Sequence, residues 1–180
     1  MRLYCHSVTV DQQGNPFIYN GIKLNNDKNL NKYKPSNEGF EFRDYPFYWV
    51  MRLGNRYTQA MEIKLKQVNM NITSWRIGLI LKENGKLSMT EVAKHAVGRL
   101  PTITKSVYKM QERGWVEVKQ SDDDGRVTMV NITEKGLETI SDVIEKTSKT
   151  IDQAFDGLDH KEIDQFNHLL QKVFNNLSDS

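Results

Sequence analysis

Cysteine is nearly absent from this chain of 180 residues: Cys5 is the only one. An intrachain disulfide is therefore impossible, and the paired-cysteine spacings that build zinc sites cannot occur. Long apolar runs are missing too. No stretch reaches the 18 or so uncharged apolar residues, as an order of magnitude, that a membrane-spanning helix needs. Met1 to Val10 lacks the basic region followed by an apolar segment that marks a secretion signal. These absences predict a cytoplasmic protein with no membrane partner. The histidines, His6, His95, His160 and His168, share no short repeated spacing, so no metal site is expected and no cofactor is implied. A phosphate-binding glycine loop, a nucleophile elbow and paired metal motifs are also lacking, which argues against an enzyme.

What is present suits one compact domain with appended elements, since 38% of the residues are hydrophobic and 27% charged. A formal net charge of +2 is too mild to indicate a nucleic-acid partner by itself. The distribution says more. Between Lys94 and Arg113 stand Lys94, Arg99, Lys105, Lys109 and Arg113 against the single acid Glu112, a basic stretch of the kind phosphate contacts require.

Residues 1–43 carry Gly14, Asn15, Pro16, Gly21, a run of Asn and Lys, then Pro35, Ser36 and Gly39. That composition predicts a flexible N-terminal extension, with at most a short strand near Phe17 to Tyr19. From Asp44 the pattern changes. Phe47, Val50, Met51, Gly54, Tyr57, Met61, Leu65 and Val68 recur at three and four residues, the spacing of one helix face, with Asp44 as a cap and Pro46 in the first turn. Ile72, Trp75, Leu79 and Ile80 mark a second helix, which Asn84 and Gly85 end.

Ser88-Met-Thr-Glu91 is a capping box, opening a short helix whose buried side is Met89, Val92, Ala93 and Ala96. After a turn containing Gly98, Pro101 opens another helix, with Ile103, Val107 and Met110 as its buried stripe and Arg113-Gly114 as its end. Two short helices joined by a tight turn form a helix-turn-helix pattern. Trp115 to Lys119 and Arg126 to Ile132 alternate as strands around a loop ending in Asp-Gly, which predicts a hairpin. Leu137, Ile140, Ile144, Ile151 and Phe155 then form one helical stripe. Ile163, Phe166, Leu170, Val173 and Leu177 form another, capped by Asp159 and Glu162.

The expected architecture is mainly α with a small β-hairpin wing. Residues 71–133 form a winged helix-turn-helix, and the helices of 44–70 and 134–177 supply a homodimer interface within a domain spanning 44–180.

The order of these elements resembles the MarR family of bacterial transcription regulators. The matching pieces are Trp75-Arg76, Ser88-Met-Thr-Glu-Val-Ala, Pro101-Thr-Ile-Thr-Lys, Gln111-Glu-Arg-Gly-Trp-Val and Asp124-Gly-Arg126 leading to Ile132-Thr-Glu-Lys-Gly136, within residues 44–177. The resemblance implies a two-fold dimer whose recognition helices enter successive major grooves of a near-palindromic operator in double-stranded DNA, while the wings reach the flanking minor grooves.

With Ile103, Val107 and Met110 inward, helical geometry turns Thr102, Lys105, Ser106 and Lys109 toward DNA. The resemblance implies base or phosphate contacts for Thr102, Thr104 and Lys105, and Lys109 and Ser88 are further candidates for DNA contact. Arg126 matches the family's wing arginine, whose guanidinium can enter a narrow minor groove. Asp124 matches a structural aspartate that holds a basic neighbour, whereas Asp122 and Asp123 point to solvent. Gly125 stands where a further arginine is common, so the wing has less positive charge than usual.

Trp49, Arg52, Arg56, Trp75 and Arg76 form a second constellation. Apolar rings beside guanidinium groups suit a small aromatic carboxylate. Alternatively, the tryptophans are core residues and the arginines pair with acids such as Glu62. The block Asp44-Tyr-Pro-Phe-Tyr-Trp49 with Arg52 resembles a subgroup responding to aromatic acids, indole-3-acetate among them, which implies a repressor released from its operator by such an acid. Two rivals remain: redox sensing through Cys5, and a protein-interaction module using Lys105 and Lys109.

Overall fold

The computed structural model describes residues 30–178. Cys5, His6, the strand expected near Phe17 to Tyr19 and most of the N-terminal extension lie outside them. The chain divides into two compact units, Met1–Arg52 and Leu53–Ser180.

In the first unit, short 3-10 turns at Asn31–Tyr33 and Phe42–Asp44 precede helix α1, Pro46–Leu65, which continues into the second unit. The helix starts at Pro46 rather than at Asp44. Proline disfavours helical backbone in the residue before it, and Tyr45 is extended at φ −79° and ψ 110°. Asp44 therefore ends a 3-10 turn, with its carboxylate 4.0 Å from the Lys32 ammonium. Aromatic rings meet around this start: Phe42 lies 4.4 Å from Tyr48 and Tyr48 5.1 Å from Trp49 between centroids.

The second unit holds the core. Met61 and Leu65 of α1, Ile77 and Leu81 of α2 (Ile72–Asn84), Val92 of α3 (Met89–His95) and Val107 and Met110 of α4 (Leu100–Glu112) are buried with Ile140 and Val143 of α5 (Glu134–Ala154). Each such side chain removed from water contributes roughly 1.5–3 kcal/mol. The helix ends follow the capping residues. Asn71 accepts from the Ser74 N–H at 2.8 Å, and Gly85 closes α2 at φ 73°. At α3 the Ser88 hydroxyl accepts from the Glu91 N–H at 3.2 Å, while the Glu91 carboxylate accepts from the Ser88 N–H at 2.7 Å. Hydrogen bonding to the Glu91 carboxyl from the Ser88 side chain, and after it from the Ser88 backbone N–H, holds that carboxyl below the usual carboxylate range.

A three-stranded antiparallel sheet runs β1 (Leu87–Ser88), β3 (Thr128–Ile132), β2 (Val116–Gln120). The hairpin pairs Val116 with Ile132 and Gln120 with Thr128. β3 starts two residues later than the alternation suggests, because Arg126 and Val127 are still turning: the Val127 N–H donates to the Asp124 carbonyl at 2.8 Å. β1 pairs Leu87 with Val130 and was not foreseen, since two residues carry no periodicity. Thr133 fastens the hairpin to α5. Its hydroxyl accepts from the Gly136 N–H at 3.0 Å and donates to the Gly114 carbonyl at 2.7 Å, and its own N–H donates to the Trp115 carbonyl at 3.0 Å.

Helix α6, His160–Ser178, opens on a second reciprocal cap between Asp159 and Glu162, both bonds 2.9 Å. None of its described residues is buried, and Phe166, Leu169, Leu170, Val173 and Leu177 line it as exposed apolar groups. Among the described residues no helix is long and apolar enough to cross a membrane.

Candidate nucleic-acid interface

Helix α4 is amphipathic because Ile103, Val107 and Met110 bury one stripe, which leaves Thr102, Lys105 and Lys109 exposed. Thr104 is half-buried. So is Ser106, whose hydroxyl donates to the Thr102 carbonyl at 3.0 Å and is thereby turned back onto the helix. At the helix start Pro101 lacks an N–H, and the Thr102 and Ile103 N–H groups donate to the Arg99 carbonyl at 3.0 and 3.1 Å. The side chains that this end of α4 exposes to a polyanion are Thr102, Lys105 and Arg99. Arg99 belonged to the basic stretch read from the sequence but was not singled out there. Ser88 is half-buried, and its oxygen is engaged in the cap of α3.

The turn between α3 and α4 is tightly determined. The Gly98 N–H donates to the Ala93 carbonyl at 3.0 Å and the Val97 N–H to the Lys94 carbonyl at 3.1 Å, the paired bonds of a Schellman helix end. A Cβ at Gly98 would come within 2.8 and 2.9 Å of the Ile103 side chain, so this backbone lies directly against α4. Val97 has φ 48°, in the left-handed region that costs a residue with a Cβ roughly 1–2 kcal/mol.

On the wing, the Arg126 side chain is 91% exposed and forks onto Asp124. Its Nε donates to Oδ1 at 3.0 Å, its Nη2 to Oδ2 at 3.1 Å, and its backbone N–H to Oδ1 at 3.0 Å. The guanidinium bonds, and after them the backbone bond, hold the Asp124 carboxyl below its ordinary value. Asp122 and Asp123 are exposed. A second wing pair, Lys119 with Glu117 at 2.8 Å, raises the Lys119 ammonium and lowers the Glu117 carboxyl.

The aromatic and arginine constellation falls in both units, and each member has its own environment. In the first unit the exposed Trp49 donates its indole N–H to the Arg43 carbonyl at 2.9 Å. Arg52 donates to the Tyr48 hydroxyl at 2.8 Å and lies 5.2 and 5.9 Å from the ring centroids of Tyr48 and Trp49. Tyr48 and Arg43 were not among the residues selected from the sequence, although Tyr48 precedes Arg52 by one helical turn. In the second unit Arg56 is exposed, and Trp75 is buried with its indole N–H donating to the Tyr57 hydroxyl at 3.4 Å. Arg76 donates to the Ala96 carbonyl at 3.2 Å, beside the turn that leads into α4. Among the described residues none of these arginines pairs with a carboxylate.

Residues 70–128 match the family model described as MarR family. Over 150 residues, 83% of this chain and 90% of the relative, the sequence is 42% identical to the HTH-type transcriptional repressor IacR of Pseudomonas putida. The chain belongs to the MarR family. Solved structures share this MarR fold at low identity. A mutant MarR from E. coli complexed with operator DNA matches with a TM-score of 0.63 at 16% identity, covering 73% of this chain and 95% of that one. BpsR of Bordetella bronchiseptica, whose DNA binding is regulated by 6-hydroxynicotinic acid, matches at 0.67 and 17% identity, covering 74% and 96%. In this MarR chain the exposed face of α4 and the Arg126 wing are thus carried by the region that defines the family.

Proposed function

We propose that this chain is a homodimeric, sequence-specific transcription repressor acting in the cytoplasm, released from its operator by a small aromatic carboxylate such as indole-3-acetate. The observation that carries the reading is the pairing of two cationic elements on one MarR core: α4 exposes Thr102, Lys105 and Lys109, and the wing presents Arg126. Thr102, Thr104 and Lys105 read base edges, Lys109 and Ser88 contact phosphates, and Arg126 enters the minor groove. The exposed apolar face of α6 supports dimerisation, because isolated chains rarely leave so continuous a stripe in water.

For the effector, Trp49 offers a ring face and Arg52 a guanidinium free of any described carboxylate, the chemistry an aromatic acid needs. Bound effector acts by favouring a spacing of the two DNA-binding lobes that no longer fits successive grooves, so it must bind that state more tightly. IacR, 42% identical, is named as a repressor, which supports repression, and the regulation of BpsR by 6-hydroxynicotinic acid supports an acid effector. The test is release of bound promoter DNA by indole-3-acetate, followed by fluorescence anisotropy. Wild type releases its DNA and Arg52→Ala retains it at the same acid concentration. Equal release from both proteins removes Arg52 from the site.

A further inference from the structure

Val97 is a branched residue in a place that selects against it. It occupies the left-handed position of the Schellman turn closing α3, at φ 48°, where glycine is the usual solution. Burial does not compensate, because Val97 is 69% exposed. Nor can the turn relax around it. The Ala96 carbonyl accepts from Arg76, the Val97 and Gly98 N–H groups are bonded back to α3, and Gly98 is pressed against Ile103 with no room for a Cβ. An outlier held in place by its surroundings, without a packing return, points to a use outside the folded core.

The neighbourhood indicates which use. Val97 lies two residues before Arg99, the last residue before α4, and the next apolar side chain, Leu100 in the first turn, is 46% exposed. Lys94, Arg99 and Lys105 around this end of the helix are also exposed. Those cations attract a polyanion to an end of α4 that also exposes two apolar groups. In the major groove the apolar feature that distinguishes one base from the rest is the C5-methyl of thymine.

We propose that Val97, with Leu100 three residues on, makes an apolar contact with a thymine methyl group in each operator half-site, a determinant of sequence added to the polar contacts of α4. The inference rests on the repressor reading and adds a base identity to it. It also accounts for a valine where glycine would fold better: glycine would lose the methyl contact.

The experiment measures operator affinity of wild type, Val97→Gly and Val97→Asn on the footprinted promoter site, with deoxyuridine replacing thymidine at one symmetric pair of positions at a time. Deoxyuridine pairs as thymidine does and lacks only the methyl. Both substitutions tolerate the left-handed backbone, and the asparagine variant separates loss of methyls from gain of flexibility. At one position per half-site, deoxyuridine is expected to cost wild type about fourfold in affinity per methyl, about fifteenfold for the pair. The two variants should show no added loss there and should melt no lower than wild type. Equal deoxyuridine losses in all three proteins at every position would overturn the proposal while leaving the repressor reading intact. A wild type without any footprint would overturn both.

Discussion

Asp124 holds Arg126 by three bonds, two from the guanidinium and one from the backbone N–H, all 3.0–3.1 Å. An aspartate at the tip of the wing proposed to read DNA is therefore a positioning group: it fixes the direction of an arginine that is otherwise exposed to solvent. Asp124→Asn should weaken operator binding severalfold although it removes a negative charge from the interface, as measured by anisotropy at fixed salt. Tighter binding would mean that simple repulsion dominates.

The same contact has a pH signature. Because the folded Asp124 carboxyl lies below its unfolded value, the stabilisation it lends the wing is present above the unfolded value and is lost as pH falls through the folded one. Between about pH 5 and 8 this group should not change protonation. In an NMR titration of the Asp124 carboxyl carbon, Arg126→Ala should move the midpoint up toward the ordinary carboxylate range. An unmoved midpoint would remove Arg126 as the cause.

Arg76 serves the turn before α4 through its bond to the Ala96 carbonyl, 3.2 Å long. Arg76→Ala should lower operator affinity with no effector present and reduce stability by about 1 kcal/mol. Unchanged operator affinity would show that the bond to Ala96 does not position α4.

Most of the fold was legible because its signals are local. Ser88 with Glu91 and Asp159 with Glu162 form the reciprocal caps their spacing suggests, and Ile103, Val107 and Met110 are buried as their periodicity requires. What escaped depends on distant partners or on backbone geometry. β1 exists because Leu87 finds Val130, some forty positions on in the chain, and nothing in the residues around it announces that. Asp44 reads as a helix cap by type, yet Pro46 sets where α1 starts. The Arg76 bond to Ala96 and the left-handed Val97 lie beyond any pattern of residue types. For the effector constellation, residue type identified aromatics and arginines, but the bonds of Trp49 to Arg43 and of Trp75 to Tyr57 depend on how the chain folds there.

Gly136 tests how the wing is mounted. A Cβ there would run into the Trp115 carbonyl, which is backbone already accepting from Thr133 and cannot yield. Gly136→Ala should cost about 1–3 kcal/mol and lower the melting temperature, with wing contacts to DNA lost together with it. A variant as stable as wild type would show that α5 shifts freely against the hairpin.

The central claim, that α4 and the wing of a symmetric dimer read operator DNA, is tested most directly by footprinting the chain on its own promoter and measuring affinity across a salt series. The account predicts a two-fold symmetric protected site with half-site centres about one helical turn apart, and a log–log salt slope that Lys109→Ala reduces by about one unit. Protection without two-fold symmetry, or a slope unchanged by Lys109→Ala, would contradict it.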